Sequence, residues 1–160
     1  MADSSVANSL VAEKAFRVEI TTHLGDQQEY IDGDEISFLL NINRDAYLLI
    51  LYKDTTQDLW QLLPNDFNRQ SKFKAGMYIP IPGTEQSYRF RASAPFGRET
   101  LFAYAADTPF PPLPSKISKN GIQLLDTTIE KLEKILHDSA FDIKNNMAKS
   151  TLDITTQKRP

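Results

Sequence analysis

Residues 46–52, Ala-Tyr-Leu-Leu-Ile-Leu-Tyr, decide the fold of this chain. They form an apolar run without glycine or proline, and charged residues flank it on both sides. A run of this length and composition predicts a β-strand that is buried on both faces. The short turn 54–57 leads to a second apolar stretch, Leu59–Leu63, which ends at Pro64 because proline cannot donate to a sheet ladder. We therefore predict a hairpin at the centre of a β domain.

Size, composition and charge are those of an ordinary globular domain. The chain has 160 residues, of which 41% are hydrophobic and 24% are charged, and its net charge is −3. This length suits one domain with a proper core, and the small negative charge gives no global field that would attract nucleic acid or anionic lipid. The sequence contains no cysteine, which excludes disulfides, thiolate metal ligands and a cysteine nucleophile.

The termini predict nothing that enters a membrane. Residues 1–11 lack the basic start and apolar core of a signal peptide, and no apolar stretch is long enough to span a bilayer. We expect no direct membrane insertion of this segment. We interpret 1–14 as a flexible lead, 15–157 as a single domain and 158–160 as a tail, and both ends resemble linkers cut from a longer exported protein.

Segments that alternate between polar and apolar residues, and short apolar segments, predict further strands around the hairpin. The segments are 16–21, 35–42, 77–81, 86–91, 99–106 and 151–155. Pro80 interrupts the third of them, which is typical of an edge strand that must not recruit partners. The last segment, 151–155, could pair with 16–21.

The hydrophobic period changes after the proline-rich stretch 109–114, which we interpret as a spacer. Leucine and isoleucine at 125, 129, 132 and 136 fall on one helical stripe, and Thr127-x-x-Glu130 matches a capping box. This pattern predicts a helix over 126–137. The whole chain then reads as mainly β, a two-layer antiparallel β-sandwich of seven or eight strands with one C-terminal helix; a small barrel is the alternative.

A family resemblance rests on short motifs in a fixed order. They are Tyr30-x-x-Gly33-Asp34, Tyr47, Leu63-Pro64-Asn65, Ala75-Gly76, Ile79-Pro80 and Pro95-Phe96-Gly97-Arg98-Glu99. This succession resembles the bacterial domain of unknown function 4384 (DUF4384) over roughly 16–106. The chain departs from the family pattern at Gln57, where the family commonly has a glycine in the hairpin turn.

The resemblance implies an accessory module rather than an enzyme. Members are commonly attached to caspase-like peptidase or protein kinase domains, or occur in envelope proteins and lipoproteins of Gram-negative bacteria. The resemblance therefore implies a periplasmic or envelope-associated location, and it supplies no catalytic residues that could be transferred to this chain.

The residues themselves also favour no catalytic, cofactor or metal site. His23 and His137 are the only histidines and form no spaced ligand pair, while Asp32-x-Asp34-Glu35 lacks the remainder of a calcium loop and is typical of a turn. No serine stands in a Gly-x-Ser-x-Gly elbow, and no glycine-rich phosphate loop occurs. We therefore expect no metal, no cofactor and no enzymatic activity.

Basic and aromatic residues interleave between Arg69 and Arg98. This pattern occurs in single-stranded nucleic-acid sites, but alternation and the missing global positive charge favour a solvated face without nucleic acid. We expect a protein partner to bind through an edge strand or through the exposed loops 65–75 and 92–98, and this region supplies a candidate interaction surface. Its residues are Phe67, Arg69, Lys72, Phe73, Arg89, Arg91, Phe96 and Arg98.

Three functional hypotheses follow. The preferred one is a non-enzymatic accessory domain that binds a protein partner, in cis or in trans, in the bacterial envelope. The alternative is a small-ligand or glycan-binding module that uses Trp60 or tyrosine side chains as stacking platforms. A hydrolase is the third hypothesis, although no motif supports it.

Overall fold

The computed structural model describes residues 16–22, 29–66, 68–69, 72–83, 88–143 and 145–160. Within these ranges the chain forms twelve strands and one helix. They are β1 (Val18–Thr22), β2 (Glu29–Ile31), β3 (Glu35–Ile36), β4 (Phe38–Ile42), β5 (Tyr47–Lys53), β6 (Leu59–Leu63), β7 (Ile79–Ile81), β8 (Phe90–Arg91), β9 (Arg98–Ala106), β10 (Ser115–Lys119), β11 (Ile122–Leu125), α1 (Ile129–Asp138) and β12 (Met147–Gln157).

One large sheet organises the molecule. Its seven strands lie in the order β10-β11-β6-β5-β9-β12-β2, with β5 at the centre between its hairpin partner β6 and the long strand β9. A three-stranded sheet, β1-β4-β7, and the short pair β3-β8 form separate units. All pairings are antiparallel except that of β12 with β2, which is parallel.

The central strand β5 is buried on both faces, as its composition predicted. Leu48, Ile50 and Tyr52 belong to a core that the large sheet shares with β1, β4 and β7. The alternate residues Leu49 and Leu51 belong to a second core with α1 and the segment before β10. Since successive side chains of a strand point to opposite faces, each face of the large sheet has its own covering layer.

The mainly β class, the sandwich-like layering and the late helix are confirmed. The structure has more strands than the predicted seven or eight, because β2, β10 and β11 were not predicted and the predicted segment 35–42 forms two strands, β3 and β4. β7 lies at the edge of its sheet, the position predicted from Pro80. The predicted lead, residues 1–14, lies outside the described residues.

The predicted pairing of 151–155 with 16–21 is wrong. β12 pairs along its length with β9, from Met147 opposite Ala106 to Thr155 opposite Arg98, and its other edge pairs with β2. β1 instead pairs with β4. An eleven-residue strand finds a longer ladder on the nine-residue β9 than on the five-residue β1.

The C-terminal region differs from the prediction in two details. The helix begins at Ile129, and the hydroxyl of its N-cap Thr128, not Thr127, accepts a hydrogen bond from the Lys131 backbone N–H at 3.3 Å. The proline-rich stretch leads first into the β10–β11 hairpin, which the sequence analysis missed. Asn120 and Gly121 have φ of 53° and 87°, as a two-residue hairpin turn requires.

Candidate functional site

A cleft of about 380 Å³ opens where the large sheet meets the segment that contains β8. One side comes from β5, β6 and the β10–β11 hairpin, and the other comes from residues 88–93. Four of its lining residues are aromatic: Tyr52, Trp60, Tyr88 and Phe90. We call this feature the aromatic cleft.

The β5–β6 turn fixes Trp60 in the aromatic cleft. Asp54 Oδ1 accepts hydrogen bonds from the Thr56 backbone N–H at 3.0 Å, the Thr56 hydroxyl at 2.7 Å and the Asp58 backbone N–H at 3.0 Å. Asp54 Oδ2 accepts the indole N–H of Trp60 at 3.2 Å. One carboxylate therefore organises the turn and orients the half-buried tryptophan.

Tyr52 anchors the buried end of the aromatic cleft. Its hydroxyl donates a short hydrogen bond to the Glu99 carboxylate, and its ring stacks on Phe90 with 5.1 Å between centroids. Burial, followed by the neighbouring Glu99 charge, raises the pKa of Tyr52 far above its usual value. Burial likewise raises the pKa of Glu99, and the Tyr52 hydrogen bond only partly opposes this. The phenol is thus protonated, and it serves as a fixed donor rather than as a base.

Tyr88 completes the aromatic cluster. Its ring meets Phe90 edge-on at 5.3 Å, and the residue is only 4% exposed. Among the described residues its buried hydroxyl has no hydrogen-bond partner. Burial raises the pKa of Tyr88 to about 12, with Arg89 acting in the opposite direction.

Three cationic side chains line the same cleft: Arg89, Arg91 and Lys119, all on exposed residues. Arg89 donates to the Tyr88 carbonyl at 2.7 Å and lies 3.8 Å from Glu35. Arg91 donates to a backbone carbonyl at 3.4 Å. Because three cations line the cleft against the single lining carboxylate of Asp54, the balance of charge among its lining residues is positive.

The structure brings only part of the predicted interaction surface together. Arg89 and Arg91 line the aromatic cleft. The loop of Phe96 and Arg98 lies beside the β5–β6 turn, where the Thr55 hydroxyl donates to the Pro95 carbonyl at 2.9 Å. Arg98 itself pairs with Asp153 at 3.0 Å, away from the cleft lining.

The remaining predicted residues lie elsewhere. The backbone of half-buried Phe73 pairs with Ala46, and Lys72 Nζ lies 5.8 Å from the Tyr47 ring. Tyr47 lies at the opposite end of β5 from Tyr52, about 17 Å away along the strand. Arg69 is exposed, and Phe67 lies outside the described residues. The predicted surface is therefore at least two separate patches.

The sequence analysis left Tyr52, Tyr88 and Lys119 out of the site. Part of this grouping had a sequence signal, because the register of the β5–β6 hairpin places Tyr52 directly opposite Trp60. Residues directly opposite in a sheet share a face, so these two rings could have been grouped. Tyr88 and Lys119 come from distant segments, and their approach follows only from the tertiary fold.

The polar residues that were considered as metal ligands take part in turns and surface contacts. Asp34 accepts the Ile31 backbone N–H at 2.9 Å, as expected for a turn. His137 is exposed in the last turn of α1, 3.7 Å from the Asp138 carboxylate, and His23 lies outside the described residues. In the ranges that the structure describes, no three His, Asp or Glu side chains gather closely enough to hold a metal ion. No helix there is long and apolar enough to cross a bilayer.

Together these features define a mainly β domain with an open, cation-rimmed aromatic cleft. A sequence model of the family Domain of unknown function (DUF4384) matches residues 29–109, half of the chain, and the chain belongs to this family. The matched region runs from β2 to β9 and includes every aromatic residue of the cleft. No curated protein and no solved structure matches the chain.

Proposed function

We propose that this chain is a non-enzymatic protein-interaction domain of a bacterial envelope-associated protein, and that its aromatic cleft is the binding site. The observation that carries the proposal is the set of rigidly held aromatic rings beside exposed arginines. Trp, Tyr and Arg dominate the energetics of protein interfaces, and the two aromatic types bury large areas at a small entropic cost. Trp60 and Tyr52 are held in place by Asp54 and Glu99 before any partner arrives.

The chemistry of the cleft supports binding rather than catalysis. The Asp54 carboxylate is occupied by four hydrogen bonds, and the Tyr52 phenol is protonated and bonded to Glu99. Guanidinium groups stay protonated and cannot act as a general base. The envelope location is part of the same proposal, and it rests on the family resemblance.

A glycan-binding module is the second candidate, because half-buried Trp60 lines an open cleft. An indole ring in such a position can stack on a sugar face as well as on a peptide side chain. The first candidate binds a protein and the second binds a glycan, so site-directed crosslinking to protein partners distinguishes the two.

The test places a photo-crosslinking amino acid at Ser93, an exposed residue that lines the cleft. The full-length protein is expressed in its own bacterium, and Lys134, exposed on α1, serves as the control position. We expect discrete protein adducts from Ser93 that disappear when Trp60→Ala is added, and none from Lys134.

Equal adducts from both positions, or none from Ser93, would contradict the proposal. Trp60-dependent binding of oligosaccharides without protein adducts would favour the glycan candidate. Cell fractionation tests the location separately.

A further inference from the structure

We infer that the aromatic cleft recognises an acidic peptide segment in extended form, with carboxylates flanking one aromatic or large aliphatic anchor. This inference rests on the proposed function and specifies its ligand. It follows from the arrangement of charge, apolar surface and main chain around β8.

The charge around the cleft selects for carboxylates. Arg89, Arg91 and Lys119 all line it against the single lining carboxylate of Asp54, and Glu35 lies 3.8 Å from Arg89 with both side chains about half exposed. Exposed ion pairs of this kind contribute little and exchange readily. A guanidinium presents a planar fork of donors that fits a carboxylate, so both arginines suit aspartate or glutamate.

The spacing of the arginines indicates an extended ligand. Arg89 and Arg91 flank Phe90, whose ring points inward onto Tyr52. Alternate residues of an extended chain are about 7 Å apart. A peptide with acidic residues at positions i and i+2 matches that spacing and places another side chain toward Trp60 and Phe90.

The main chain beside the cleft is also suited to a strand. β8 pairs with β3 alone among the described residues, so one of its edges has no strand partner there. An extended peptide that adds to such an edge gains main-chain hydrogen bonds, while alternate side chains supply specificity. This mode fits a short acidic segment better than a folded surface.

Nucleic acid fits these features less well. Its backbone needs a continuous groove of positive charge, whereas this cleft has three cations in a chain of net charge −3. A peptide with a few carboxylates beside one apolar side chain matches a cleft in which three cations surround aromatic rings.

The test selects a phage-displayed library of random dodecapeptides on the full chain in 100 mM NaCl. We expect enrichment of peptides with Asp or Glu at i and i+2 beside Tyr, Phe, Trp or Leu. For a synthetic enriched peptide, Arg89→Gln with Arg91→Gln should weaken affinity by about tenfold or more, because close charge pairs are lost. The control pair Arg17→Gln and Lys134→Gln removes two exposed cations outside the cleft and should leave affinity unchanged.

Each alternative result has a defined meaning. Thermal unfolding checks that the variants fold. If the variant with both arginines replaced does not fold, the unaltered chain is tested with the same peptide in which Asn and Gln replace Asp and Glu. The same tenfold loss of affinity is expected. Enriched peptides without acidic residues, no enrichment, or affinity independent of these charges would overturn the inference. Peptide binding that still requires Trp60 would then leave the protein-interaction proposal standing. Tighter binding of oligothymidylate than of any peptide would overturn both.

Discussion

Trp60 Nε1 donates to Asp54 Oδ2 at 3.2 Å, and this bond couples the tight turn of the central hairpin to the aromatic cleft. The other oxygen of the same carboxylate closes the turn through Thr56 and Asp58. The geometry of the cleft therefore depends on a residue whose main role is to shape a turn. Several measurable consequences follow from this bond and from two half-buried glutamates, Glu99 and Glu133.

Asp54→Ala should lower the free energy of unfolding by about 2–3 kcal/mol, because it removes an acceptor of four hydrogen bonds, two of them to backbone N–H groups. It should also increase quenching of Trp60 fluorescence by acrylamide, since the indole loses its anchor. Chemical denaturation and quenching measure the two effects. Asp58→Ala is the control, because Asp58 contributes only its backbone N–H and C=O to this turn. Equal effects of the two substitutions would contradict the role given to Asp54.

Gln57→Gly should raise the free energy of unfolding by about 0.5 kcal/mol. Gln57 has φ of 72°, which costs an ordinary side chain roughly 1 kcal/mol, and the greater freedom of glycine in the unfolded chain offsets part of that gain. Urea denaturation measures the difference. Asp58→Gly, in the same turn without a positive φ, should be destabilising instead. A loss of stability in Gln57→Gly would show that the glutamine side chain itself is needed.

Glu133→Gln should destabilise the domain by about 1 kcal/mol at pH 7, a value discounted for partial exposure. The Glu133 carboxylate accepts hydrogen bonds from Tyr104 at 2.8 Å and from Lys149, and it ties α1 to β9 and β12. Partial burial alone raises the pKa of Glu133, but these hydrogen bonds outweigh it and the pKa is lowered.

The sign of the pH dependence follows. A carboxyl group whose pKa is lowered in the folded state stabilises the fold at pH values above its unfolded-state pKa of 4.5. This stabilisation is lost as the pH falls through the folded-state pKa. The difference between Glu133→Gln and the unaltered chain should therefore shrink between pH 7 and pH 3 in urea titrations. Glu130→Gln, at an exposed position of the same helix, should show little change, and a difference that grows on acidification would contradict the assignment.

Glu99→Gln should show the opposite dependence. Burial raises the pKa of Glu99, so its ionised form is disfavoured in the folded state. The contribution of Glu99 to folding stability therefore declines as the pH rises through its folded-state pKa. Glutamine still offers a carbonyl acceptor to the Tyr52 hydroxyl. The variant should be at least as stable as the unaltered chain at pH 7 and should lose that advantage near pH 4. Thermal unfolding at both values provides the test, and an advantage that increases at pH 4 would refute it.

Tyr88→Phe separates a structural from a binding role of its hydroxyl. Because that group is buried and has no partner among the described residues, its removal should leave stability unchanged or raise it by up to about 1 kcal/mol. Thermal unfolding measures this. Tyr88→Ala is the contrast, since loss of the buried ring should cost about 3 kcal/mol or more. A clear destabilisation in Tyr88→Phe would mean that the hydroxyl is bonded in the free domain.

The local pattern of the sequence predicts the elements of strongest periodicity. The unbroken run 46–52 predicted the central strand, the two-face apolar segment 99–106 predicted its neighbour, and the stripe through Leu132 and Leu136 predicted the helix. β10 was missed because all five of its residues are exposed, so its hydrophobic pattern is weak, although Asn120-Gly121 is a hairpin signal. Gln57, at the turn position where the resemblance implied a glycine, has the positive φ that glycine adopts without strain.

The aromatic cleft could not be predicted in the same way. Its walls come from residues 52–60, 88–93 and 119–122, which meet only because β8 pairs with β3 and the β10–β11 hairpin extends the large sheet past β6. These are long-range pairings without a local signature. The arginines were recognised as a surface feature, but the sequence analysis did not group them with the rings of Tyr52 and Trp60.

Trp60 is the single tryptophan of the chain, so its fluorescence reports directly on the aromatic cleft. The central claim is that a protein partner occupies this cleft. The decisive measurement is acrylamide quenching of Trp60 with and without the partner captured by crosslinking through Ser93. We predict a shift of the emission maximum and at least a twofold reduction of quenching on binding. Emission and quenching that stay unchanged in a complex shown to have formed would contradict the claim.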